Sequence, residues 1–600
     1  MKREKFLLML TASLLAFSCS KLSTETNPTN SGGQNSSSET NYTDDTGSDI
    51  IVNDENDDIS TVEFTGTVQV VYSSSGATVT GAGDEMTVTV SGCDVTITYD
   101  GEEPVVYELS GSSSDGFFKL YSSNKQSLTL KGLSLTNPDG AAINIQSHKS
   151  TYVVVEGVNT LADGSSYSDE VSSEDMKAAF FSEGQLLFSG SGSLTVNATG
   201  KSGITSDDYI HFMEDGPTVK VTSSAGHGVR GKESIIVSGG DINVSVSGTG
   251  KKGFSSDGRV YFSGGNTVIK TTGSAGDVDG ELTGVAGIKA DLRFDMDGGN
   301  LEITCTGTGA KGINCDNVGY FNAGTVKVTT TGSNYGSSSS QGGMPGGFPG
   351  GRPGETTTDS DNSVSAKGIK FDGNLYFAGS DVTVKCSSHE GIESKGTISV
   401  TGGTIYSYAS DDAINAASDL TISGGYVCGY STGNDGIDAN GDLFVKGGVV
   451  VAVGSGSPEV GLDANTEENH TLYIQGGTVI SFGGIEDRAS ISQGCITTTW
   501  SSGVNYALYD GSDLVMAFTA PSSGGNGLVM SDASLKSGSQ YTLLSGAKFS
   551  GGTEYFGGYY IEDPSVSGGS STTVTASNTS SSSGQGGQGG QGGPGGRGGR

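Results

Sequence analysis

The sequence predicts an all-β fold: a right-handed, single-stranded parallel β-helix of about 23–25 residues per coil, followed by a small C-terminal β region. The first sign is a small residue followed by an apolar one, at Gly203-Ile204, Gly228-Val229, Gly253-Phe254, Gly287-Ile288, Gly312-Ile313, Gly368-Ile369, Gly391-Ile392, Ala413-Ile414, Gly436-Ile437 and Gly461-Leu462. The steps between them are 25, 25, 34, 25, 56, 23, 22, 23 and 25 residues. The second is a Gly-Gly pair followed by alternating apolar residues, as in Gly239-Gly240 before Ile242, Val244 and Val246, a pattern of short strands between glycine turns. The third is an unbroken apolar column two places before that mark: Phe188, Val237, Phe262, Met296, Phe321, Phe377, Val400, Ile422, Val445 and Ile474. Strands this short, with no helical stretch between them, bury their faces only by stacking coil on coil.

The elements follow in order. Residues 1–18 have a basic end (Lys2, Arg3, Lys5) and an apolar run from Leu7 to Phe17, the form of an export signal. Small residues before Cys19 resemble a bacterial lipoprotein cleavage site, which makes Cys19 the lipidated N-terminus and 19–61, rich in Ser, Thr, Asn, Asp and Glu, a disordered tether. The β-helix is expected over 62–500, the C-terminal β region over 501–576, and a disordered Gly-rich tail over 577–600. The two long steps are accounted for by insertions at Gly273–Gly280 and at 333–365. One residue in six is glycine, 100 of 600, and the coil-marking glycines read as turn chemistry. Six cysteines after Cys19 lack the spacing of a disulfide framework and read as buried small residues.

Formal charge is −35, from 32 basic and 67 acidic residues, which excludes binding to a nucleic-acid backbone and points instead to cations. Five histidines without H-E-x-x-H or paired Cys/His spacing leave little room for a zinc enzyme.

Several segments carry a family resemblance: Leu133–Asn144, Glu156–Gly164, Leu186–Val196, Ser410–Ala416 and Asn434–Gly441. From about Val62 to the region between Leu514 and Leu543, the chain resembles secreted bacterial calcium-binding parallel β-helix domains that bind cellulose and pectic polysaccharides. Their shape is similar to that of pectate lyases. The resemblance implies non-catalytic, calcium-assisted binding of a polysaccharide, here at the cell envelope, on the outer membrane or cell surface, by a monomer held to the membrane only through its N-terminal lipid. Ala413 departs from the family's usual glycine, and the N-terminal coils carry Lys or Arg where acids are common.

Stacked coils rise by about 4.8 Å, so residues at one phase form columns. Glu390, Asp412 and Asp435 share one phase, and Glu393, Asn415, Asp438 and Asp463 another. Calcium takes oxygens at about 2.3–2.6 Å, so ligands on its two sides match the coil rise. Asp411, Asp412, Asp435 and Asp438 are the leading ligand set for Ca²⁺, with Glu390, Glu393, Asn440 and Asp463 behind them; a solvated acidic edge is the alternative. A further column, Asp207, Asp257, Asp291, Asp316 and Asp372, reads as turn structure.

In the N-terminal coils the sign reverses at Arg230, Lys252, Lys289, Lys311, Lys367 and Lys370. This stripe either meets polyuronate carboxylates, with Lys289 and Lys370 as ligand-binding candidates, or neutralises the adjacent Asp column. Tyr320 and Tyr376 share an outward column with Tyr261 and are the aromatic candidates for sugar contact, while Tyr406, Tyr408, Tyr426 and Tyr430 cluster further on. Two catalytic alternatives are weighed: a calcium-dependent lyase with Lys370 or Lys395 as base, and a polygalacturonase-like hydrolase built on Asp207-Asp208 and His227. Gly429-Tyr-Ser-Thr-Gly433 matches the nucleophile-elbow pattern without the strand-to-helix turn it needs. A structural adhesin is the third class.

Overall fold

The computed structural model describes residues 57–168, 174–336 and 363–579. The signal, lipidation and tether readings for residues 1–56, Cys19 included, lie outside the described residues, as do the middle of the second insertion and the tail from 580.

Each coil supplies three short strands, here called the first, second and third faces. One coil illustrates the order: Ser202–Ser206, Tyr209–Phe212 and Thr218–Ser223. First-face strands stack in a ladder of 14 parallel strands among the described residues, from Asp94–Tyr99 to Leu462–Ala464. The second and third faces form their own parallel ladders alongside it. The solenoid therefore has about 14 coils, and the parallel β-helix expected from the sequence is present.

The register reproduces the columns. Ile204, Val229, Phe254, Ile288, Ile313 and Ile369 stack in successive coils on the first face, followed by Ile392, Ile414, Ile437 and Leu462. On the second face the inward column runs from Phe188 through Phe212 and Val237 to Ile474 and Ile491. Phe212 belongs to it although its coil lacks the Gly-Gly mark, and its ring stacks on Phe188 with centroids 5.2 Å apart. All of these side chains are buried, so each coil's apolar face is covered by its neighbours. The six cysteines after Cys19 are free and buried.

The recurring marker glycines require a different explanation from the turns proposed for them. The second glycine of each Gly-Gly mark does have left-handed backbone, for example Gly240 at φ 79°. The glycine before the first-face apolar residue does not; it sits where the third face leans on the corner. A Cβ on Gly312 would lie 2.2 Å from Val328 Cγ1 and 2.6 Å from Gly368 O. The same clash recurs at Gly228 and Gly368 against a third-face side chain. Ala413 is tolerated because the register sets Gly429 at the third-face position held by Ser407 one coil earlier. The bulk has moved across the corner, and this accounts for the departure from the repeat.

Both insertions leave between the third and first faces. The first forms the hairpin Gly276–Val278 and Glu281–Thr283, and the second is closed at its base by Tyr335 and Val364. At the N-terminal end the hairpins Gly66–Ser73/Gly76–Thr80 and Met86–Ser91/Asp94–Tyr99 are antiparallel. At the C-terminal end Gly527–Asp532 pairs antiparallel with both Thr478–Phe482 and Gly494–Thr499. A four-stranded antiparallel sheet, built on Asn505–Asp510, adjoins it.

Candidate functional site

Along the first face the outward column reads Arg230, Ser255, Lys289, Asn314, Lys370, Glu393, Asn415, Asp438 and Asp463. Its charge changes sign between Lys370 and Glu393, and the two halves are satisfied in different ways.

In the basic half the cations pair with the aspartates of the neighbouring turn. Lys289 Nζ lies 2.6 Å from both Asp291 and Asp316, Lys370 lies 2.5 Å from Asp372, and Arg230 grips both Asp257 oxygens at 2.8 Å. Arg230, Lys289 and Lys370 thus neutralise Asp257, Asp291, Asp316 and Asp372, whereas Lys252 donates to Gly250 O at 2.8 Å, burial and the neighbouring lysines push Lys311 down to about 8, and Asp207 is taken by Lys177. At the sign change, Lys367 bridges Glu390 at 3.2 Å and Glu393 at 2.5 Å. Glu393 also pairs with Lys395. Burial pushes the Glu393 carboxyl up, but these ammonium groups outweigh it and hold the group below its ordinary value. With Lys370 and Lys395 both committed to carboxylates, neither lyase-base candidate is free.

The acidic half has no such compensation. Among the described residues no Lys, Arg or His pairs with Asp412, Asp435, Asp438 or Asp463, whereas Asp411 lies 3.1 Å from His389. Asp412 Oδ1 accepts the Asp435 N–H at 3.0 Å, and Asp435 Oδ1 accepts the Val460 N–H at 2.5 Å. The Asn415 amide donates to Asp412 at 3.0 Å and to Asp438 at 2.8 Å, joining neighbouring coils. Burial, reinforced by the surrounding carboxylates, pushes Asp412 up to about 6, Asp438 to about 7 and Asp435 to about 8. Asp463 rises to about 9, through burial and then a hydrogen bond with Glu486. An all-oxygen donor set that is short of positive charge suits a hard cation such as Ca²⁺.

The ligand set predicted from sequence is divided by these contacts. Asp412, Asp435 and Asp438 form one linked group with Asp463 one coil on, while Asp411 and Glu390 turn toward His389 and Glu393 is held by lysines. Among the described residues, three groups hold ligand atoms within 4.8 Å of one another: His389/Glu390/Asp411, Asp419/Asp442/His470 and Asp175/Glu183/Asp207. Lys177 neutralises the last in part, 2.5 Å from Asp207, and Asp412, Asp435, Asp438 and Asp463 belong to none of the three.

The aromatic candidates stand on the second face, away from Lys289 and Lys370, so the four do not converge. The Tyr320 and Tyr376 rings stack in parallel with centroids 5.0 Å apart. Their outward column continues through Ser399 and Thr421 to Phe444 and Tyr473, a second stacked pair at 4.8 Å. Arg293 lies over Tyr320 at 4.3 Å and Lys446 over Phe444 at 4.5 Å. All four rings are half-exposed. Phe444 and Tyr473 stand one place before Val445 and Ile474, the offset that also gives Tyr320 and Tyr376, so the sequence held the signal for them. The other tyrosine cluster lies largely under the C-terminal region. Tyr426 packs edge-on against Tyr555 at 4.8 Å, Tyr430 donates to Ser523 O at 3.0 Å, and Tyr408 is 37% exposed.

The remaining catalytic patterns are structural. His227 is half-buried and desolvation pushes it down to about 3, with Nδ1 accepting the Lys252 N–H at 3.0 Å. Ser431 is buried, donates to Asp411 O at 2.7 Å and caps the turn at Gly433 and Asn434. Gly429, the first residue of that nucleophile-like pattern, is the corner glycine opposite Ala413.

A parallel β-solenoid with charged and aromatic columns along its faces is the class of protein defined here. A family model described as carbohydrate-binding domain-containing protein matches residues 91–413, over half of the chain, and the chain belongs to that family. No curated protein matches it. A solved structure described as the polysaccharide lyase-like protein from C. thermocellum, in a gadolinium derivative, is 22% identical, covers 44% of this chain and 96% of its own, and superposes with a TM-score of 0.34.

Proposed function

We propose that the protein binds a polysaccharide along its second face, with calcium bound between the C-terminal coils of the first. The carrying observation is the half-exposed aromatic column Tyr320, Tyr376, Phe444 and Tyr473 in a chain of this family. Stacked face to face at 5.0 and 4.8 Å, each pair presents its ring edges, with the tyrosine hydroxyls, as an amphipathic ridge to a sugar chain, and Arg293 and Lys446 supply polar contacts beside them. Pectic or cellulose-like chains are the proposed ligands, and Cys19 is the proposed lipid anchor to the cell envelope. Asp412, Asp435, Asp438 and Asp463, with Asn415, would hold the calcium, which offsets their mutual repulsion and stiffens the coils that carry Phe444 and Tyr473.

The test is retention of the protein on polygalacturonate and cellulose with and without chelator, while ultraviolet absorbance is followed for unsaturated product. Retention that falls on chelation and on Phe444→Ala, without new absorbance, is the expected result. Failure to bind either polymer overturns the ligand class, chelator-insensitive binding overturns the role of calcium, and new absorbance overturns binding without cleavage.

A further inference from the structure

The chain enters the fold before its first coil strand. Asp57, inside the stretch expected to be tether, is buried against the second-face strand Tyr209–Phe212, about 150 residues later. Its Oδ2 lies 2.7 Å from His211 Nδ1, and its other oxygen accepts the Tyr209 hydroxyl. The His211 side chain is 1% exposed and that of Asp57 5%. On the far side of the ring, His211 Nε2 lies 2.9 Å from Ser238 Oγ, in the turn of the next coil. A carboxylate only accepts, so Nδ1 carries the hydrogen and Nε2 accepts from Ser238. Ser238 Oγ in turn accepts from Ser263 Oγ at 3.0 Å, which leaves its own hydrogen committed to the imidazole. The contacts between Asp57 and His211 would be enough to clasp the N-terminal segment to the solenoid. They do not require a serine on the outer nitrogen, nor the hollow beside it.

That hollow, about 290 Å³, is lined by His211, Met213, Glu214, Asp215 and Ser238. Ser238 is half-buried at its wall, while Glu214 and Asp215 are exposed at its rim.

We propose that Ser238, His211 and Asp57 form a hydrolytic triad acting on a short carboxylic ester, such as an acyl group carried on a carbohydrate hydroxyl. Only the identity of the alcohol rests on the carbohydrate-binding reading. Ser238 Oγ attacks the carbonyl carbon as its proton passes to His211 Nε2. The bond from that carbon to the alcohol oxygen breaks, and His211 returns the proton to the leaving oxygen. Water then attacks the acyl-serine, gives its proton to His211, and the carboxylic acid leaves as Ser238 regains its hydrogen. Asp57 is a positioning residue that fixes the tautomer. A cavity of about 150 Å³ holds a benzene, so the hollow takes a short acyl group together with part of its alcohol and not a polymer, and Glu214 and Asp215 repel the carboxylate once it forms.

The full chain is tested with p-nitrophenyl acetate and with a fluorophosphonate probe, followed by peptide mass spectrometry. Labelling at Ser238, and turnover that falls at least ~100-fold in Ser238→Ala, support the triad. Asp57→Asn, which keeps the contact but not the tautomer, is expected to slow labelling by a similar factor. A second arm, acetylated against de-acetylated xylan or pectin with acetate release measured, tests the alcohol separately and does not bear on the first arm. No labelling of Ser238, equal turnover by wild type and Ser238→Ala, or an Asp57→Asn variant that loses thermal stability but labels at the wild-type rate overturns the triad and leaves a clasp.

Discussion

Asp412→Asn tests the idea that the acidic half of the first face is a cation site and not a solvated edge. Asp412 is 6% exposed, and its carboxyl is pushed from the ordinary 3.8 to about 6, first by burial, against the pull of its bonds from Asp435 N–H and Asn415. That displacement corresponds to roughly 3 kcal/mol of preference for the neutral form, at about 1.4 kcal/mol per pH unit. Between 3.8 and about 6 the folded chain holds this proton and the unfolded chain does not. The stabilising contribution is therefore complete below 3.8 and is lost as pH rises through 6. An asparagine does not titrate. In chelator, the stability of the variant relative to wild type should climb by ~2 kcal/mol between pH 4 and pH 7, less ~1 kcal/mol at every pH for an amide that now faces the Asn415 amide. In calcium the order reverses, because wild type gains ~2.7 kcal/mol at one hundred times the dissociation constant and the variant does not. The assay is urea unfolding followed by fluorescence of Trp500, the chain's single tryptophan. Trp500 packs against Phe482, with ring centroids 5.0 Å apart, at the C-terminal end of the same stack. A midpoint difference that stays flat from pH 4 to pH 7 in chelator, or calcium stabilising both proteins equally, would refute the argument.

Three other outcomes are expected. Lys367→Met removes the main partner of Glu393, whose side chain is 1% exposed, and should cost ~3 kcal/mol in urea unfolding; the double variant Lys367→Met/Glu393→Gln should recover most of it. Gly312→Ala drives a methyl into Val328 and the Gly368 carbonyl and should cost ~1–3 kcal/mol, with Val328→Ala recovering only part because the carbonyl contact remains. Phe444→Ala and Tyr376→Ala should each weaken retention in polysaccharide affinity gels by about fivefold, ~1 kcal/mol, while leaving the urea midpoint in chelator nearly unchanged.

The features legible in the sequence are those set by neighbours one coil apart. The inward column from Phe188 to Ile474 and the outward column of Glu393, Asn415, Asp438 and Asp463 follow from period alone, since a fixed chain length per coil forces residues of one phase into register. Phe212 escaped because its coil replaces the Gly-Gly mark with Met213-Glu214-Asp215-Gly216. What the sequence hid depends on contacts between distant segments. The tyrosines near 426 look like a surface cluster until the C-terminal region, more than a hundred residues on, is laid over them. Asp57 and His211 are 154 apart in the chain, and no local pattern joins them. The basic stripe illustrates a third limit: spacing fixes which charges are close, but geometry decides whether Lys289 is spent on Asp291 and Asp316 or left for a ligand.

The antiparallel strands at both ends of the stack have a consequence for how such a chain can change over time. A bare parallel edge would invite another copy to add on and grow a filament. Here the hairpins near Gly76 and Asp94 occupy terminal hydrogen bonds at one end, and the returning strand Gly527–Asp532 occupies those of the last third-face strand at the other. Growth is stopped at the ends and not by anything in the middle, so whole coils can be duplicated or deleted between the caps. The span of the aromatic column, and with it the length of polymer it can engage, is then free to vary by unit steps of about 4.8 Å.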